Sequence, residues 1–305
     1  MPSASIAIGE NLMTIVLGST MRILRPRPNI LAFYDGRIAG QRLHSPKPNW
    51  LDDAAYTLGV CSYAVIDGAS AILFDTHISL PHARLVRSAL DGAGVTDIRV
   101  VLSHHHADHI AGSEIFADCE IIASRLTTEL LRTNREGLKA KEPPIDPLIM
   151  PTTVFDGTLS LTVGKIPVDI MPYEIHSSDG HVAWLPEQKI LLAGDTLEDP
   201  VTFVAEPERL AAHLSELARL SALPIDKILP AHGMERMIEA GGYDTRFIAA
   251  TLRYVTDLLR CKADSKLSAT SLKDFAQDQF VEGSIYYYSA YEGIHRENVR
   301  RVTKS

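Results

Sequence analysis

The sequence predicts an α/β protein in which two β-sheets pack face to face with helices on their outer faces. Two observations carry this expectation. Short apolar, strand-like runs alternate with helical periodicity in each half of the chain, and the second half repeats the order of the first. A dense group of metal-ligand residue types also stands directly after one of those runs, where a strand end would hold it rigidly yet leave it open to a substrate.

Taken in order, Asn29 to Tyr34, the pair Asp35-Gly36 and then Arg37-Ile38 read as a hairpin. A second hairpin joins Val60–Ile66 to Ser70–Phe74 through Asp67-Gly68. Residues 81–93 read as a helix, because Leu85, Val86, Ala89 and Leu90 form one apolar stripe and Gly94 follows as a stop. Ile98–Leu102 is the next strand, followed by a helix over 110–116, a strand over 119–123 and a helix over 124–135. The segment Glu142-Pro143-Pro144-Ile145-Asp146-Pro147 reads as a loop or linker. In the second half, strands are expected around 152–175, 181–185 and 189–193, then a helix over 207–221 and a strand over 226–230. Beyond that point Asp244 to Lys262 reads as a long helix with Phe247, Ile248, Leu252, Val255, Leu258 and Leu259 on one side. Residues 272–280 and 293–302 read as further helices. The expected organisation is a main domain over residues 1–240 with a helical extension, residues 241–305, packed on it.

The chemistry concentrates in Ser103-His104-His105-His106-Ala107-Asp108-His109. Imidazole and carboxylate donors at this density suit zinc, iron or manganese. On an extended segment alternate side chains share a face, so His104 and His106 can grip one ion together while His105 points away. Asp108 and His109 lie past the strand and can reach a second ion beside the first. Two coordination shells need more donors, and the chain supplies His176, Asp195 in Ala193-Gly194-Asp195-Thr196, and His232 in Leu229-Pro230-Ala231-His232-Gly233. The last two follow apolar runs that read as buried strands. His181 competes with His176 but falls inside an expected strand.

This ordered set resembles the metallo-β-lactamase superfamily, which includes glyoxalase II and the zinc lactonases. A further element of the resemblance is an aspartate ending an early strand, matched by Asp75 in Leu73-Phe74-Asp75-Thr76. The resemblance runs from Asp75 to His232 and implies an αββα sandwich of two mixed sheets. It also implies two divalent metal ions per chain, zinc first, with iron, manganese or cobalt as alternatives. His104, His106 and His176 would bind one ion, Asp108, His109 and His232 the other, and Asp195 would bridge them; Asp75 would orient a ligand imidazole. Asp108 and Asp195 are then the candidate catalytic residues. The Gly194-Asp195 pair points away from the zinc β-lactamases, and His106 stands where flavodiiron proteins carry glutamate. Homoserine-lactone lactonases typically place a tyrosine three residues after the bridging aspartate, where this chain has Glu198.

Composition narrows the partners. A net charge of −8 and a sequence pI of 5.8 disfavour a nucleic-acid partner, which needs a basic face. No apolar stretch reaches the roughly 20 residues that span a bilayer. The short run Leu12 to Leu17 follows Glu10 and lacks a basic start, so no signal peptide is expected and a cytoplasmic location is the default. Cys61, Cys119 and Cys261 are odd in number and widely spaced, which favours reduced thiols. The amphipathic C-terminal helices are compatible with a homodimer. His77, His82 and His213 read as surface or cap residues, the tyrosines 286–288 and Tyr291 as packing, and Trp50, Tyr34 and Asp35 as either cleft edge or core. The Gly-x-Ser-x-Gly elbow of serine hydrolases is absent. The resulting expectation is a dinuclear metal hydrolase acting on an ester-like bond of a small molecule, a lactone first. The alternatives are a thioester of the glyoxalase II kind and a mononuclear iron enzyme that oxidises persulfides.

Overall fold

The computed structural model describes residues 16–305 and the backbone of Met13–Thr14. Residues 1–12 and Ile15, and with them the start of the chain read for a leader and two residues of the apolar run Leu12–Leu17, lie outside the described residues.

Seven strands form the first sheet in chain order: β1 Arg22–Arg27, β2 Ile30–Asp35, β3 Val60–Asp67, β4 Ser70–Phe74, β5 Asp97–Val101, β6 Glu120–Ser124 and β7 Thr153–Phe155. Pairing is antiparallel from β1 to β4 and parallel from β4 to β7. Five strands form the second: β8 Leu159–Val163, β9 Ile166–Pro172, β10 His181–Leu185, β11 Ile190–Gly194 and β12 Lys227–Pro230. These are antiparallel except for the last pair. Both sheets are therefore mixed, as the resemblance implied. A short parallel pair, Met13–Thr14 with Gln41–Arg42, stands apart.

The sandwich follows from the twofold alternation of strand side chains. Ile30, Ala32 and Tyr34 of β2 join Ile72 and Phe74 of β4 in a cluster with Ile190 and Leu192 of β11, the layer between the sheets. The intervening Leu31, Phe33, Ala71 and Leu73 point outward onto Ala83, Val86 and Leu90 of helix α1, Leu80–Gly92. Leu191 and Ala193 point outward on the other side, onto Leu217 and Leu220 of the helix Leu210–Ser221 and onto the helix Arg246–Arg260. A strand buried on both faces must be apolar at every position, which is why β4 and β11 read as unbroken apolar runs. Phe247, Tyr254 and Leu258 of the 246–260 helix, and Tyr291 and Val302 of the last helix, Tyr291–Lys304, belong to the same cluster as Trp184 and Ile228 of the second sheet.

Some expectations required correction. The partner of β2 in the first hairpin is the preceding β1, not Arg37-Ile38. Gly36 and Arg37 have φ of 101° and 52°, and the Arg37 amide donates to Tyr56 O, so the chain leaves the sheet there. Pro26 in β1 is tolerated because β1 is an edge strand. The helix expected over 110–116 is two single turns, Ala107–Ile110 and Ser113–Phe116, separated at Gly112. A Cβ on Gly112 would strike Thr76 O, so the break lets this segment pass against the end of β4. The helix over 272–280 is likewise two pieces, Leu272–Phe275 and Gln277–Val281. The short helix Leu51–Tyr56, not among the expected elements, packs Leu51, Ala55 and Tyr56 into a cluster with Leu43, Val60 and Ile78.

Candidate metal centre

The parallel register aligns the carboxyl ends of β4, β5 and β6, with Phe74 opposite Val101 and Val101 opposite Ile122. In the second sheet Gly194 lies opposite Pro230. Chain leaving these ends converges on one rim, where open α/β sheets place their ligands. The His104–His109 run leaves β5, Asp195 leaves β11, His232 leaves β12, and His176 follows β9.

There the seven expected donors meet. His104, His106, His176 and Asp195 form one group and Asp108, His109, Asp195 and His232 a second, each with its donor atoms within 4.8 Å of one another. Asp195 belongs to both. Its Oδ2 lies 3.1 Å from His109 Nε2 and 3.6 Å from both His104 Nε2 and His176 Nε2, while its Oδ1 lies 3.5 Å from His232 Nε2. Asp108 Oδ2 lies 3.2 Å from His232 Nε2. His106 Nδ1 and His176 Nε2 face each other at 2.9 Å.

The groups fit cations on the strength of what they leave unsatisfied. His104 Nε2, His109 Nε2 and Asp195 Oδ1 are buried and lack any hydrogen-bond partner among the described residues. Buried polar atoms are ordinarily paired, and these three orphans open into one place. Meanwhile the second nitrogen of four of the imidazoles is held. His109 Nδ1 bonds Asp75 Oδ2 at 2.7 Å, His104 Nδ1 bonds Ser103 Oγ at 2.9 Å, His176 Nδ1 donates to Phe203 O at 3.0 Å, and His232 Nδ1 donates to Gly59 O. Such outer bonds fix tautomer and ring orientation, leaving the inner nitrogen free to ligate.

Asp75 is the hub of this outer layer. It sits at φ 68°, its amide donates to Val101 O, and its carboxylate accepts from Ser103 N at 2.7 Å and Ser103 Oγ at 2.8 Å. Asp179, which the sequence reading missed, does the same for the next residues: it accepts from the His105 amide at 2.9 Å and bonds His105 Nδ1 at 3.0 Å. His105 is therefore outside both groups. His181 is too, its Nδ1 donating to Asp179 O. Asp179 lies in a loop with no periodicity, and no local pattern marks it.

Electrostatics are dominated by proximity. Burial pushes His104 well below its ordinary value, and the neighbouring His109 and His106 add to the push. His106 is lowered to about 3, by burial first and then by His176. Burial also works against charge on His109 and His232, but Asp195 and Asp108 override it and raise both well above the usual imidazole range. Asp108 and Asp195 are held low against the burial effect by the same two histidines. Carboxylates and imidazoles thus stabilise each other's charged forms here, so cation binding would displace protons.

A cavity of about 210 Å³ lined by Asp108, His176, Asp195, Glu198, Phe203 and His232 opens onto these donors. It shares Ala54, Ala55, His106, Asp108 and Phe203 with a wider cavity of about 520 Å³ that is also lined by Trp50 and Leu138. Glu198 does not stand free in the cleft like a substrate-facing side chain. It is buried, with Oε1 accepting from Phe203 N at 2.8 Å and lying 3.4 Å from His176 Nδ1, and Oε2 accepting from Tyr291 OH at 3.2 Å.

Of the remaining candidates, His77, His82 and His213 are buried rather than at the surface. His82 Nε2 bonds Asp35 Oδ2 at 2.8 Å, and its amide donates to Ser79 Oγ, which caps α1. His77 stacks on His82 with ring centroids 4.6 Å apart. Packing of α1 against the strand ends buries them, which local sequence does not reveal. Tyr34 and Asp35 are core, with Tyr34 OH donating to Gly233 O; Trp50 edges the wider cavity.

The match to known proteins agrees with this architecture. The family model described as the metallo-beta-lactamase superfamily matches residues 56–232, more than half of the chain. The chain belongs to the metallo-beta-lactamase superfamily. Among solved structures of the superfamily fold, a metallo-beta-lactamase from Pontibacter korlensis superimposes with a TM-score of 0.59 at 17% identity, covering 77% of this chain and 99% of that one. DIM-1 metallo-beta-lactamase exposed to ceftazidime gives 0.57 at 21% identity, covering 77% and 96%. These likenesses establish the fold. Hydroxyacylglutathione hydrolases of Brucella ovis and Brucella abortus are 30% identical over 157 residues, 50% of this chain and 54% of theirs. The chain thus spans about half the length of the curated relatives it matches. Members of this superfamily are metal-dependent hydrolases, and the described residues contain no helix long and apolar enough to cross a membrane.

Proposed function

We propose that this protein is a dinuclear metal hydrolase that cleaves an ester-like bond in a small molecule, a lactone first. The observation that carries the reading is the pair of four-donor groups that share Asp195 and leave three buried donor atoms without partners. We assign His104, His106 and His176 to one divalent cation, Asp108, His109 and His232 to the other, and Asp195 to both. Zinc is the first expectation, and iron, manganese or cobalt suit the same donors. When bound, such a pair supplies a hydroxide nucleophile near neutral pH, by lowering the pKa of water to about 7, and polarises the substrate carbonyl.

The chain's own groups do the rest. Asp75, Ser103, Gly59 O and Phe203 O hold the four imidazoles in place before substrate arrives. Asp108 lines both cavities with its side chain 19% exposed, and we assign it the transfer of a proton to the leaving atom. The extension over residues 241–305 shares its core with the second sheet, which supports reading it as part of one catalytic unit with residues 1–240. A thioester is the second reading, favoured by the identity to hydroxyacylglutathione hydrolases.

The test is elemental analysis of the purified protein together with a pH-indicator assay against lactones, thioesters and a β-lactam. Two metals per chain with lactone turnover are expected. A single iron without hydrolysis would overturn the proposal in favour of redox chemistry. H106A and D195A should each lose most bound metal and hydrolysis together; full turnover by metal-depleted H106A would remove the mechanism.

A further inference from the structure

The wider cavity holds features that the metal groups leave unused. It shares His106 and Asp108 with the smaller cavity at the metal centre; Trp50, Leu138, Asn134 and His105 line it further, and so does Lys141, which does not line the smaller cavity. Apolar side chains make up most of the lining, and a cavity of about 520 Å³ is within the range of small-molecule sites. Lys141 is the one fixed cation among the lining residues, and no described carboxylate forms an ion pair with it. Its neighbours' charges are committed elsewhere: Lys139 to Asp146, and Glu142 to His44.

The position of Lys141 is built. Its Nζ lies 5.5 Å from the centre of the Trp50 ring, a cation–π distance. Trp50 Nε1 in turn donates to Pro143 O at 2.8 Å. Indole and lysine segment are therefore tied to each other across two elements, the helical turn at 51–56 and the chain following Arg135–Lys139. An indole face leaves the ammonium's hydrogen-bonding capacity free, whereas a carboxylate would have consumed it.

We infer that this cavity selects substrates whose apolar side chain ends in a carboxylate, with the scissile carbonyl at the metal centre, the chain against Trp50 and Leu138, and the carboxylate on Lys141. The inference rests on the hydrolase reading. One ammonium matches one negative charge, and a net charge of −8 opposes more highly anionic ligands.

The experiment compares two δ-lactones, one with a straight alkyl side chain and one with a side chain of the same length ending in a carboxylate, on the metal-loaded protein. The wild type should favour the carboxylate in kcat/KM by about tenfold, the scale of one hydrogen bond to a charged group. K141M should bring the ratio to about one and K141R should keep it. A wild-type ratio near one, or a ratio that survives in K141M, overturns the inference. Calorimetric titration of octanoate against wild type and K141M separates the two readings. Octanoate binding that weakens about tenfold in K141M, with no lactone turned over, would sustain the pocket and remove the lactone reading. Lactone turnover without preference, and octanoate binding indifferent to K141M, would do the reverse.

Discussion

Asp75 shows what a single side chain contributes to this centre. Its two oxygens take three bonds, from Ser103 N, Ser103 Oγ and His109 Nδ1, so one carboxylate positions both the start of the donor run and one donor ring. D75N keeps the volume but replaces one acceptor by a donor facing His109 Nδ1. Metal affinity, read by chelator competition, should fall about 10- to 100-fold with the fold retained; unchanged affinity would show that His109 needs no such partner. His77 illustrates the opposite case, a buried histidine kept neutral. Burial first, and then His82, lower it from 6.5 to about 3. The unfolded chain takes up that proton below about pH 6.5 while the native state refuses it until about pH 3, so stability falls as pH drops through this window. The slope is at most about 1.4 kcal/mol per pH unit. H77N suits the φ of 71° at this position, since asparagine tolerates the left-handed region. It should narrow the gap between urea midpoints measured at pH 7 and pH 5, and an equal gap would refute the assignment.

At the scale of elements, the site depends on where strands stop and how the following chain turns. The two single turns at Ala107–Ile110 and Ser113–Phe116 bring His109 back beneath β4, where its carbonyl accepts from Thr76 N at 2.7 Å and from Thr76 Oγ1 at 3.0 Å. Gly112 allows this approach: a Cβ there would meet Thr76 O and the Ala83 Cβ together. G112A should therefore cost about 1–3 kcal/mol in chemical denaturation and lower metal content at the same time. Stability loss with full metal content would mean that the two segments are not coupled. The mistaken hairpin at Arg37-Ile38 belongs to this scale too. The strand pattern of Ile30–Asp35 was legible, but its partner was decided by Gly36 and by the Arg37–Tyr56 bond to a helical turn that has no apolar period of its own.

For the molecule as a whole, the amino-acid sequence by itself determined the layer order and the donors. Strands such as Leu191–Ala193 are apolar at every position because both faces are covered, and His104, His106, Asp108 and His109 stand within six positions of one another, so local spacing announces them. His176, Asp195 and His232 were legible because each has a recognisable local context, and the structure brings all three to the same rim. Only the tertiary structure decided what surrounds those donors. Asp179 reaches His105 from 74 residues away, Glu198 lies behind His176 and is tied to Tyr291 across 93 residues, and Trp50 meets Pro143 across 93. Such partners are chosen by packing of distant segments, which leaves no period or spacing in the chain. The same holds for the buried His77 and His82, which meet Phe33 O and Asp35 across 44 and 47 residues. Candidate metal ligands can be read locally because one ion would need several donors at once. Their support, and the cavity that meets the substrate, exist only once the two sheets have closed.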